Sequence, residues 1–141
     1  MDIRRATPDD ADLLGPLWEQ FTEETTYTPY PGMPFDRSLL TDHVALVAEE
    51  DGVTVGTLYM NISTPHFGFV FGVYTRPEAR RRGVARELLR AAARELRAGG
   101  RSYVVLSVDT PNTGARTLYE RLGFVDAART LRAHVDDLVD G

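Results

Sequence analysis

The order of patterns along the chain predicts an α/β or α+β fold, a mixed sheet whose second half contains a parallel crossover. Three observations carry this. Two β-rich runs, residues 44–49 and 53–62, meet at Asp51 and Gly52, a dipeptide that favours the tight turn of a two-residue hairpin. Next comes FGFVFGVYT, residues 67–75, almost wholly apolar and so suited to a central strand covered on both faces. After it the pattern alternates strand, helix, strand, helix, and parallel neighbours on one sheet need a crossover of that kind. At 141 residues the chain suits one domain, spanning residues 1–141.

The elements follow in order. Residues 1–5 read as a short strand. Thr7 with Asp10 three residues on resembles a capping box, opening a helix through Leu13, Leu14, Leu17 and Phe21. Residues 25–35 are rich in proline and aromatics and read as a loop with the makings of a lid. A short helix over residues 36–43 leads into the hairpin, and Pro77 ends the central strand. The clearest helix covers residues 83–98. Val84, Leu88, Ala92 and Leu96 share one face, Arg86, Arg90, Arg94 and Arg97 the other, and Gly99-Gly100 stops it. Residues 103–108 read as another buried strand. A short helix then carries Ala115, Leu118, Tyr119 and Leu122 at helical spacing before Gly123, and from Phe124 the chain is expected to return to the sheet.

Composition removes several chemistries. There is no cysteine, which excludes thiol nucleophiles, disulfides and thiolate metal sites. All sixteen basic residues are arginine, so no lysine is present for a Schiff base or a phosphate-loop GKS motif. His43, His66 and His134 are isolated, without His-Glu-x-x-His spacing, and no serine sits in Gly-x-Ser-x-Gly, so no metal is expected and no catalytic triad. The start, MDIRRATPDD, has no apolar core like that of a secretory signal. No stretch approaches the roughly 18 apolar residues of a membrane span, and the expected location is the cytoplasm, with no membrane partner.

Against a net charge of -5, residues 75–89, TRPEARRRGVARELL, place four arginines within seven positions at a helix start. A solvated charge run is the plain reading of such a cluster. The functional reading is an anion site. N–H groups of a first helical turn have no internal partner, the helix dipole adds positive potential, and Gly83 lets a ligand approach the backbone. The dipole contributes ~0.3–1 kcal/mol when exposed, and charge-assisted hydrogen bonds add roughly 1.5–3 kcal/mol each. Together these suit a pyrophosphate.

Arg80, Gly83 and Ala85 form an Arg-x-x-Gly-x-Ala pattern, preceded by Thr75-Arg76-Pro77-Glu78-Ala79 and followed one strand later by NTGARTLYERLGF, residues 112–124. The combination resembles the GNAT superfamily of acyl-CoA-dependent N-acyltransferases, across nearly the whole chain and most specifically over residues 73–124. The resemblance implies a twisted, mixed sheet of six to seven strands flanked by about four helices. Two central parallel strands would splay into a V that holds acetyl-CoA as cosubstrate. It implies that Val73, Tyr74 and Thr75 run beside the pantetheine arm, with the backbone of Arg81, Arg82, Gly83, Val84, Ala85 and Arg86, and the charge of Arg80, at the pyrophosphate. Asn112 and Ala115 would border the pantetheine. Tyr119 would be the general acid facing the thioester sulfur; the bland reading packs Tyr119 on its helix, its hydroxyl bonded to backbone.

By the same resemblance a neutral amine attacks the thioester directly, and an N–H at Val73 or Tyr74 stabilises the oxyanion. Many relatives carry acids where this chain has Phe71 and Gly72, so the base is open among Asp109, His66 and Glu24 through water. Only seventeen residues follow Phe124, and the last strand is short or completed by a partner chain, as in a homodimer. The acceptor pocket falls to the segment carrying Trp18, Phe21, Tyr27, Tyr30, Met33 and Phe35, aromatics that serve equally as core. Two further readings stand beside the enzyme: a catalytically silent acyl-CoA-binding regulatory domain, and a nucleic-acid binder. The acidic total disfavours the last, so no nucleic acid partner is expected. Residues 76–101 hold nine arginines against three acids, whereas residues 1–75 hold three against twelve. A cleft of one sign concentrates ligands of the other, which points to a cationic amine acceptor.

Overall fold

The computed structural model describes residues 1–25 and 33–141. One five-stranded sheet runs in the order β1 (Asp2–Arg5), β2 (Val44–Glu50), β3 (Val53–Asn61), β4 (Phe67–Thr75) and β5 (Tyr103–Leu106). The first four strands pair antiparallel, and β5 pairs parallel to β4. The hairpin read from Asp51-Gly52 is present. Both residues have positive φ, 51° and 77°, the turn whose twist matches that of the flanking strands.

Helices cover both faces of the sheet. On one side α1 (Ala11–Thr25) and the single turn α2 (Ser38–Thr41) bury Leu14, Leu17, Trp18, Leu39 and Leu40 against Ala45, Val47, Tyr59 and Tyr74. On the other, α3 (Val84–Ala98) buries Val84, Leu88, Ala92 and Leu96 against Leu46, Leu58, Met60 and Val70. Alternate residues of β2 therefore serve opposite layers, and this is why its sequence reads as an unbroken apolar run. The reciprocal half of the capping box at Thr7 is formed, its N–H donating to Asp10 at 2.8 Å, but it opens a 3-10 turn, Pro8–Asp10, that continues into α1. Arg4 joins Asp10 and Glu49, tying that turn to β2.

Three expectations are corrected. The sheet has five strands among the described residues, not six to seven. The chain beyond Phe124 does not return to it: residues 124–134 are irregular and lead to α5 (Val135–Val139). Having no neighbour on its outer side, the strand expected to be buried over residues 103–108 is instead a four-residue edge, with Tyr103 70% exposed. The tail explains all three. Residues 126–134, DAARTLRAH, hold one β-branched residue, Thr130, and no Val, Ile, Phe, Tyr or Trp to fit a pleated surface. Without a sixth strand, β5 has nothing beside it. The loop expected over residues 25–35 lies mostly outside the described residues, as do Tyr27 and Tyr30.

Candidate active site

The parallel ladder between β4 and β5 runs from Phe67↔Tyr103 to Val70↔Leu106 and stops there, while β4 continues to Thr75. From residue 71 onward the β5-facing edge of β4 has no strand partner among the described residues. This opening is the V. Within it β4 carries a bulge: Thr57 and Tyr59 of β3 stand opposite Tyr74 and Phe71, so three residue steps on β4 match two on β3. Gly72 makes the bulge possible. Its φ is +61°, its carbonyl accepts the Thr57 hydroxyl at 3.3 Å, and a Cβ there would lie 2.7 Å from the Tyr59 ring and 2.8 Å from Trp18. Phe71 stacks on Tyr59 at 5.6 Å and meets Trp18 and His43 edge-on. Packing and backbone conformation thus hold Phe71 and Gly72 in these positions.

Past Thr75 the chain is locked by Arg76, whose N–H donates to Val55 O and whose Nε donates to Thr54 O. A 3-10 turn, Pro77–Ala79, leads into the arginine loop. Arg81 and Gly83 have φ of 66° and 80°, and the first helical bond runs from Glu87 N to Gly83 O. The N–H groups of residues 81–86 have no backbone acceptor among the described residues. Positive φ at Arg81 and Gly83 and the open first turn of α3 leave these amides available to an anion. A Cβ on Gly83 would meet nothing within 4 Å, so glycine answers to backbone conformation there, not to crowding. Val84 is buried beneath the turn and Ala85 half-buried.

The four arginines do not act alike. Arg80 turns back toward α1, pairing with Glu24 at 2.7 Å, donating to Thr75 O at 3.0 Å and lying 5.7 Å over the Tyr74 ring. Arg82 pairs with Glu50 at 2.9 Å. Arg81 and Arg86 are exposed and have no charged partner among the described residues, and they are the two left to meet an anion. Arg80 thus ties β4 to α1 from its place beside the arginine loop.

Across the opening, α4 (Thr113–Arg121) begins at Asn112, whose side-chain oxygen accepts the Ala115 N–H at 3.2 Å. Asn112 thus keeps its amide N–H donors and one lone pair of that oxygen for a ligand. Tyr119 is half-buried, edge-on to Phe124 at 5.6 Å, and packs with Val73 and Leu106 on the α3-side core. Burial pushes its hydroxyl up to about 12. No described residue hydrogen-bonds that hydroxyl, so the backbone bond of the bland reading is not formed. Tyr119 and Val73 both pack against the α3-side core, and the arginine loop joins the end of β4 to α3.

Of the three base candidates, His66 precedes the far end of β4, roughly 30 Å from Thr75 at the usual rise per residue. Its carbonyl accepts Ser102 N, and its distance removes it from the site. Asp109 is exposed just beyond β5, its carbonyl accepting Asn112 N at 2.8 Å. Glu24 ends up beside Tyr74, whose hydroxyl reaches Gln20 at 3.5 Å and is raised by burial first and by the Glu24 carboxylate second. Sequence reasoning missed this Gln20–Glu24–Tyr74–Arg80 group. No local spacing could have signalled it, since Glu24 and Arg80 are 56 residues apart. Trp18 and Phe21 belong to the core layer, Trp18 donating its indole N–H to Met33 O at 2.7 Å.

Residues 12–124 match the family described as Acetyltransferase (GNAT) family. The chain is 29% identical to the uncharacterized N-acetyltransferase YhfO of Bacillus subtilis (strain 168) over 133 residues, covering 88% of this chain and 89% of that protein. The ribosomal-protein-alanine N-acetyltransferase from Brucella melitensis biovar Abortus 2308 superposes with a TM-score of 0.79 at 24% identity, covering 94% of this chain and 97% of that one. A structure from Clostridium acetobutylicum described as a predicted acetyltransferase with acetyl-CoA superposes at 0.76 with 20% identity, covering 96% and 97%. Among the described residues no group of three or more side chains is placed to hold a metal, and no helix is long and apolar enough to cross a membrane.

Proposed function

This chain belongs to the Acetyltransferase (GNAT) family, and we propose that it transfers an acetyl group from acetyl-CoA to a primary amine in a ternary complex, with Tyr119 as general acid. The observation that carries the proposal is the run of unpaired N–H groups over residues 81–86, flanked by the free charges of Arg81 and Arg86, at the mouth of an opening whose β4 edge is unpaired. A pyrophosphate suits the first, and an extended amide-bearing arm suits the second as an added strand.

Acetyl-CoA supplies the thioester carbonyl. An N–H of Val73 or Tyr74 at the bulge bonds the oxygen on which charge develops, in an opening shielded by β4 and α4. The incoming amine forms the C–N bond as the C–S bond breaks, and the Tyr119 hydroxyl gives its proton to the departing sulfur. That phenol keeps its proton throughout the neutral range, because burial holds it well above its ordinary value of 10.0. Glu24 takes the proton from the acceptor's ammonium, directly or through water, since it is the acidic side chain that the fold brings to the α1 face of the bulged strand. The lack of acids at Phe71 and Gly72 supports a silent binder, whereas their packing roles and the carboxylate of Glu24 beside Tyr74 support the enzyme.

Two measurements on one variant test the proposal. Tyr119→Phe should keep its coenzyme A affinity by calorimetry while thiol release from acetyl-CoA with an amine acceptor falls roughly 10- to 1000-fold in kcat. Equal rates for the two proteins would leave Tyr119 a packing residue.

A further inference from the structure

The base and the oxyanion donor sit on different elements, Glu24 on α1 and the N–H of Val73 or Tyr74 on β4, and proton transfer needs the two in register. Arg80 joins them. Its Nη2 pairs with Glu24 Oε2 at 2.7 Å, its Nε donates to Thr75 O at 3.0 Å, and its guanidinium carbon lies 5.7 Å over the Tyr74 ring. Two of these three contacts are to the strand end that directly follows Val73.

An ordinary surface ion pair loses much of its Coulomb gain to the entropy of two long side chains, and two features set this one apart. The Thr75 carbonyl and the Tyr74 ring hold the guanidinium from the β4 side, independently of the carboxylate. Glu24, for its part, is opposed by its own helix. It lies in the last turn of α1 next to Glu23, with no basic residue in that turn, where the helix dipole disfavours negative charge. Its counter-charge comes from 56 residues away. With its side chain 39% exposed, the Glu24 carboxylate remains open to an incoming ammonium. We propose that Arg80 is a positioning residue for the base, fixing the Glu24 carboxylate in register with the β4 bulge, and that the phosphates are left to residues 81–86. This rests on Glu24 being the base.

Steady-state kinetics with acetyl-CoA and a primary amine, together with calorimetric titration of coenzyme A, test this on Arg80→Ala, Arg80→Lys, Glu24→Gln and the Arg80→Ala/Glu24→Gln double variant. Arg80→Ala should lower kcat/KM for the amine roughly 10- to 100-fold through misplacement of the base, with coenzyme A affinity unchanged, which also shows that the variant is folded. Glu24→Gln should lose roughly 100-fold or more, as a lost base does. Combined with Glu24→Gln, Arg80→Ala should cost nothing further, because a guanidinium that acts through a carboxylate has nothing left to position. Arg80→Lys keeps the charge without the planar fork and should fall between wild type and Arg80→Ala. Equal losses from Arg80→Ala in the wild-type and Glu24→Gln backgrounds would make Arg80 an independent strut and overturn the proposal while leaving Glu24 the base. A fall in coenzyme A affinity with kcat intact would also overturn it, returning Arg80 to the phosphates. Wild-type turnover by Glu24→Gln would remove the base assignment itself, and the proposal with it.

Discussion

Gly72 shows how one residue can carry a strand's irregularity. Read in the sequence, it and Phe71 are conspicuous only for lacking a carboxylate; the contacts that require a glycine come from Tyr59 and Trp18, 13 and 54 positions away, and no local pattern reports them. Gly72→Ala meets both a left-handed backbone and two aromatic rings. It should cost about 1–3 kcal/mol in a urea unfolding transition. An unchanged midpoint would mean that the bulge relaxes freely and that its geometry is not fixed by these rings. Tyr119 was legible in type and position from its helical spacing and the resemblance, whereas the absence of a partner for its hydroxyl was not. Its raised value also has a sign. The unfolded chain ionises this phenol near 10.0 and the folded chain only near 12, so the associated stability is complete below pH 10 and is lost as pH rises through that interval.

At the scale of elements, α3 was readable because its apolar face and its Gly99-Gly100 stop agree with one another, and the structure starts it one residue later than expected, after Gly83. The arginine loop was readable as a cluster but not in its division of labour. Spacing places four like charges together; it does not say that Glu24 and Glu50, each on a distant element, neutralise two of them. The division predicts unequal effects. Arg81→Ala and Arg86→Ala should each weaken coenzyme A binding roughly 10- to 100-fold, the loss of one charge-assisted bond. Arg82→Ala should change the affinity by less than half that in logarithmic terms. Titration of the three variants side by side checks this, and equal losses at all three would return the loop to an undifferentiated basic surface. β5 was misread for the converse reason: its alternation fits a strand, but burial depends on a neighbour that the tail does not supply.

Over the whole molecule the charge is divided, with nine arginines against three acids in residues 76–101 and three against twelve in residues 1–75. The basic part forms the arginine loop and the outer face of α3, and six of the twelve acids, Asp9, Asp10, Asp12, Glu19, Glu23 and Glu24, lie on α1 or the turn that opens it. A cationic acceptor steered by that acidic side should show kcat/KM falling as ionic strength rises. A salt-insensitive rate with a neutral or anionic amine as the best substrate would remove the charge argument and leave acetyl transfer standing. The account rests above all on coenzyme A lying in the opening between β4 and β5 with its phosphates on residues 81–86. Gly83→Glu tests that most directly, because a Cβ there meets no neighbour, and the left-handed conformation costs only about 1–2 kcal/mol. Calorimetric titration should give one coenzyme A per wild-type chain and no detectable heat of binding for the folded variant. Equal affinity in the two proteins would contradict the assignment.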